Sequence, residues 1–97
     1  MFSDHLFTIL YEMCNIVGAD YHSIDFKSDN WYTHYIWSVD EENNFKVWLY
    51  EYLRDNKEAR KELMRFPSSK PKDIEKIVNS FVCMYGFVTH HKLPLNL

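Results

Sequence analysis

Histidine, cysteine and carboxylate positions set the range of chemistry open to this chain. His22 and His34 flank the turn cluster Ser28-Asp29-Asn30. A fold-back there would bring them together near Asp25, as a metal ion would require. Structural zinc, however, takes local pairs such as Cys-x2-Cys or His-x3-5-His, and neither spacing occurs. His90 and His91 are adjacent, so in an extended chain they point to opposite sides. No His-Glu-x-x-His pattern is present. The expectation is that the chain holds no metal and no cofactor.

Nucleophilic catalysis has equally little to work with. Cys14 and Cys83 fall inside predicted helices, away from the N-terminal turn that would lower a thiol pKa. Cys14 lies at the edge of an apolar face, where a thiol acts as a small hydrophobe. Cys83 falls on a polar side. A Gly-x-Ser-x-Gly elbow is missing, and two isolated glycines cannot build a phosphate-binding loop. The carboxylate run Asp40-Glu41-Glu42 has the composition of an acid-base or metal site, but the positive end of a helix dipole explains it without further assumptions. The expectation is a non-enzyme with no catalytic residues.

Binding chemistry is better represented. Lys57, Lys61 and Arg65 fall at i, i+4 and i+8, Arg54 precedes them and Arg60 lies beside them. Such a stripe offers cationic donors to a nucleic acid, a nucleotide or an acidic protein surface. Glu58 and Glu62 are interspersed, which also fits a solvated helix face. The aromatics are denser still. Trp31, Tyr32, Tyr35 and Trp37 occupy seven residues, and Tyr50 projects off the apolar stripe of its helix. Trp37, Trp48 and Tyr52 are assigned to the core. Trp31, Tyr32, Tyr35 and Tyr50 are left as an exposed patch, the usual composition of a contact surface. Stacking of a base on these rings is the other use, but the acidic half of the chain disfavours a polyanion there.

The elements that position these groups are helical. Ser3 to Val17 reads as a helix, with Ser3 as N-cap, Gly18 after its end, and Leu6, Ile9, Leu10, Met13, Ile16 and Val17 on one face. Phe7, Tyr11 and Cys14 widen that face, so this helix is expected to be central or to meet another subunit. Residues 21–37 fit a short β-hairpin or an irregular aromatic loop. Ser38 and Glu41 form a capping box for a helix over 39–54 that buries Phe45, Trp48, Leu49, Tyr52 and Leu53. Asp55 and Glu58 suggest a second capping box, and Ala59, Leu63 and Phe66 a narrow stripe that ends at Pro67. A last helix, Pro71 to Tyr85, buries Ile74, Ile77, Val78, Phe81, Val82 and Tyr85. Residues 88–97 read as a flexible tail. The fold class is mainly α: a single domain over 1–97, with three or four bundled helices and the aromatic insert between the first two.

Composition sets outer limits. The chain has 97 residues, 46% hydrophobic and 18% aromatic, which excludes disorder over most of its length. Its net charge of −3 hides a polarity. Residues 1–53 carry two bases against nine acids, a net −7. Residues 54–97 carry nine bases against five acids, a net +4. A dedicated nucleic-acid binder would show a basic excess overall, whereas this polarity suits orientation on a partner or head-to-tail self-association. Two cysteines are too few for a secreted disulfide scaffold. The first residues lack a basic n-region, and no apolar run approaches membrane-spanning length. A cytoplasmic location and no membrane partner are expected.

The pattern Trp31-x5-Trp37-Ser38-x2-Glu41-x3-Phe45-x2-Trp48-Leu49-x2-Tyr52-Leu53, followed by Lys57-x-Ala59-Arg60-Lys61-Glu62-Leu63 and Met84-Tyr85-Gly86-Phe87, resembles small uncharacterised bacteriophage-type accessory proteins over residues 31–88. The resemblance implies an accessory role in a host cytoplasm, binding or inhibiting a host or defence protein, and carries no catalytic residues. The combined expectation is a small non-enzymatic protein binder, with self-association as a further property. Trp31, Tyr32, Tyr35 and Tyr50 supply contact, while Arg54, Lys57, Lys61 and Arg65 supply orientation. The alternative is an anionic ligand, nucleotide or nucleic acid on the basic stripe.

Overall fold

The computed structural model describes residues 4–17 and 37–86. Among these there are four α-helices and no strand: α1 (Asp4–Val17), α2 (Val39–Asp55), α3 (Lys57–Met64) and α4 (Pro71–Phe81). A π-helical segment, Val82–Gly86, continues α4. The helical bundle expected from the sequence is therefore the fold. The hairpin or loop over residues 21–37 lies outside the described residues except for Trp37, and so do Ser3, Gly18 and the tail.

Local chemistry explains where α2 starts. Ser38 stands in an extended conformation. Its Oγ accepts from the Glu41 backbone N–H at 3.1 Å, and the Glu41 carboxylate accepts from the Ser38 N–H at 2.8 Å. Two otherwise orphaned donors are satisfied reciprocally. Asp40, Glu41 and Glu42 crowd the first turn, where the helix dipole favours negative charge. In this structure the carboxylate run is a helix start.

α2 is the axis of the bundle, since it touches α1, α3, α4 and the π-helical segment. Of the two readings of the first helix, central or facing another subunit, the central place belongs to α2 instead. Phe45, Leu49 and Leu53 are fully buried, while Trp48 and Tyr52 are half-buried at the margin of the same face. From α1 come Ile9, Leu10, Met13 and Cys14, and from α4 come Ile74, Val78 and Phe81. Trp37 is 2% exposed and meets Phe45 edge-on at 5.2 Å. A row of rings runs along α2 from there: Phe45 stacks on Trp48 at 5.7 Å, and Trp48 stacks on Tyr52 at 5.0 Å. Offset and edge-on pairs of this kind add to area burial. The row ends on α1, where Tyr52 Oη and His5 Nδ1 share a hydrogen bond of 2.6 Å. Burial, with a smaller push from Glu62, holds the Tyr52 phenol above its ordinary pKa and keeps it neutral.

The α2–α3 junction departs from the expected pattern by one residue. Asn56, not Asp55, is the N-cap of α3, and its Oδ1 accepts from the Ala59 N–H at 3.0 Å. Asp55 instead pairs with the Arg54 guanidinium, which holds its carboxyl below the usual range. The other end of α3 also differs. The helix stops at Met64, because Arg65 adopts the left-handed conformation at φ 61. That reversal takes Phe66 out of the helical register. Phe66, expected in the core, is 47% exposed, and Met64, expected off the stripe, is buried.

Candidate functional site

Two of the sequence-selected contact residues meet in a groove between α2 and α4. The helices run antiparallel. Phe45 near the start of α2 packs on Phe81 at the end of α4, while Glu75 near the start of α4 faces the later turns of α2. On the outer side of this seam the residues that miss the core stripe line an open groove of about 480 Å³. Tyr50, Val47 and Val78 form its apolar part. Lys46, Glu51, Arg54, Glu75 and Asn79 form its polar rim. Tyr50 is half-buried against the core and Val47 is 59% exposed, so apolar surface stays accessible to solvent there.

The ionic state of the rim is uneven. Lys46 pairs with Glu42 at 3.1 Å, one helical turn back. Arg54 makes two bonds to Asp55, of 2.8 and 3.0 Å, and that contact, with a weaker pull from Glu51, raises its already high pKa. Both cations of the groove are thus engaged on their own helix. Among the described residues Glu51 and Glu75 make no ion pair, and both are exposed. The groove presents apolar surface beside two carboxylates.

The other expected positions are distributed elsewhere. Trp31, Tyr32 and Tyr35 lie outside the described residues. Lys57 and Lys61 are exposed on α3 beside exposed Glu58 and Glu62, away from the groove. Arg65 sits past the end of α3 and leaves the i, i+4, i+8 line that the sequence suggested. The remaining member of that cluster, Arg60, is removed from solvent. It is 9% exposed, and its Nη1 donates to the Leu53 and Arg54 carbonyls at 2.8 and 2.6 Å. These are carbonyls that the end of α2 leaves without helical donors, at the negative end of its dipole. Arg60 Nε is buried, with no acceptor among the described residues. Arg60 therefore ties α2 to α3 and belongs to the framework.

Sequence reasoning missed Val47, Glu51, Glu75 and Asn79 as groove residues. The signal for Val47 was present, because it sits three residues before Tyr50 and off the core stripe, as Tyr50 does. Nothing in the sequence paired that edge with α4. Of the cysteines, Cys14 is buried in the core and Cys83 is exposed on the π-helical segment. Among the described residues no group of three or more His, Cys, Asp or Glu side chains is placed to hold a metal, and no helix is long and apolar enough to cross a membrane. Comparison of the chain with protein-family models, with curated proteins and with solved structures finds no match.

Proposed function

We propose that this is a small non-enzymatic interaction protein that binds a protein partner along the α2–α4 groove. Tyr50 and Val47 are its contact anchors and Arg54 fixes orientation at one end. The observation that supports this most is the coincidence of accessible apolar surface with a charged rim at a helix–helix seam, the general anatomy of a protein-binding patch. Trp31, Tyr32 and Tyr35 keep the contact role read from their composition. With the bacteriophage-type resemblance, the reading extends to an accessory role in a host cytoplasm, where the partner is a host or defence protein that is bound or inhibited.

The test compares the wild-type protein with Val47→Ser/Tyr50→Ser as baits in a bacterial host lysate, with captured proteins quantified by mass spectrometry. Loss of such anchors costs about 1–2 kcal/mol or more, so recovery of the partner falls roughly tenfold or beyond. The circular dichroism melt stays close to wild type, because neither side chain is fully buried. Equal recovery by both baits would remove the groove from the function.

A further inference from the structure

The face best matched to the groove is carried by the same chain. The connection between α3 and α4 presents Phe66, whose ring is displaced from the core by the left-handed turn at Arg65. Arg65, Lys70 and Lys72 surround it in sequence, and all are exposed. No ion pair engages these cations among the described residues. The loop is an apolar knob flanked by positive charge. The groove is its complement, with an apolar floor at Tyr50 and Val78 and two carboxylates, Glu51 and Glu75, that make no ion pair among the described residues. Phe66 does not line the groove of its own chain.

We infer that the α2–α4 groove of one molecule receives the Arg65–Lys72 loop of a second copy, with Phe66 inserted against Tyr50 and the loop cations facing Glu51 and Glu75. This rests on the groove being a binding surface, as proposed above, and specifies one occupant. Three features favour a second copy. The chain itself is polar, net −7 over residues 1–53 and net +4 over residues 54–97. The groove draws equally on both halves, so it is its carboxylates Glu51 and Glu75, and not the half it lies on, that complement a knob lying wholly on the basic half. A groove of about 480 Å³ falls in the roughly 300–1,000 Å³ range that accommodates a group of ring size.

The geometry also dictates the form of the assembly. Knob and groove are different surfaces, so the contact is heterologous and repeats head to tail rather than closing on itself as a two-fold dimer. One loop covers far less than the ~1,200 Å² of a stable standard interface, so association is weak, with a dissociation constant on the order of 10 μM to 1 mM.

Sedimentation equilibrium of the purified full chain over that concentration range tests the inference, using Phe66→Ser and Glu51→Lys/Glu75→Lys as variants. The substituted positions are exposed, and Glu51→Gln/Glu75→Gln replaces the second variant if charge reversal impairs folding. The wild-type average mass is expected to climb past twice the 11.8 kDa monomer, and to fall back as salt screens the charges. Each variant alone stays monomeric. Their equimolar mixture restores one knob–groove pair and stops at the dimer, since the other knob and the other groove are disabled. A wild-type protein monomeric at every concentration, variants that associate like wild type, or a mixture that stays monomeric would each overturn it. Selective loss of partner capture by Val47→Ser/Tyr50→Ser in a monomeric protein would sink self-docking alone, while equal capture would sink the broader groove reading.

Discussion

The α2–α4 seam and the short helix α3 both carry residues that the sequence marks for binding, yet they behave differently. α2 has 17 residues, and its capped start and long apolar face keep every side chain in register. Residues that miss the core stripe, Val47 and Tyr50, end up at the outer edge of the seam, as the period requires. α3 has 8 residues, so its two ends make up most of the helix. One end is taken by Asn56, the other is broken at Arg65, and in between Arg60 turns inward. In a long amphipathic helix periodicity decides exposure. In a short one the decision passes to capping and to the orphan groups of neighbouring helices.

The largest effect that sharpens this contrast is expected at Arg60. Arg60→Met keeps much of the aliphatic stem but removes both bonds to the Leu53 and Arg54 carbonyls. Losing a charged donor to buried acceptors costs on the order of 2–3 kcal/mol. Lys61→Met, one residue on and exposed, should stay within about 0.5 kcal/mol of wild type. Urea unfolding of the two variants measures the difference. Equal midpoints would mean that Arg60 is an ordinary surface cation and does not tie α2 to α3.

The same contrast shows what was legible beforehand. The helical class, the Ser38–Glu41 box, the buried stripe Phe45-Leu49-Leu53 and the Ile74-Val78-Phe81 face all follow from local pattern, because each is set within its own helix, whereas the count stays at three or four because the α2–α3 junction reads as a new helix or a bend. The groove was half legible. Tyr50 and Val47 stand off the stripe in sequence, but their meeting with Glu75 and Asn79 depends on how two helices pack. The burial of Arg60 was not legible, since its acceptors are orphaned only once α2 ends at the α2–α3 junction. The exposure of Phe66 was hidden for a related reason. Its place in the apolar spacing is sound, and a single positive φ one residue earlier cancels it.

The cap of α3 offers a test of intermediate size. Asp55 and Asn56 are both good N-cap residues, so sequence alone leaves them one residue apart in role. With Asn56 Oδ1 on the Ala59 N–H, Asn56→Ala should lower stability by about 1 kcal/mol. Asp55 makes an exposed pair with its sequence neighbour Arg54, and such pairs contribute little, so Asp55→Ala should shift the urea midpoint only slightly. The reverse ranking would return the start of α3 to Asp55 and rebuild the first turn around Glu58.

The smallest effect is expected at Arg65, and it carries a gain. A left-handed conformation places the Cβ of an L-residue close to backbone oxygen, at a cost of about 1–2 kcal/mol. Glycine removes the clash but has more freedom to lose from the unfolded chain. Arg65→Gly should therefore come out more stable by roughly 0.5–1 kcal/mol, visible as a small rise in the midpoint of thermal unfolding. Its value lies in the comparison with α2, where no residue has a positive φ. A destabilised Arg65→Gly would mean that the Arg65 side chain does more than end the helix. Stabilisation would identify the turn as backbone geometry that this chain maintains with a residue poorly suited to it, and would leave the displacement of Phe66 as its consequence.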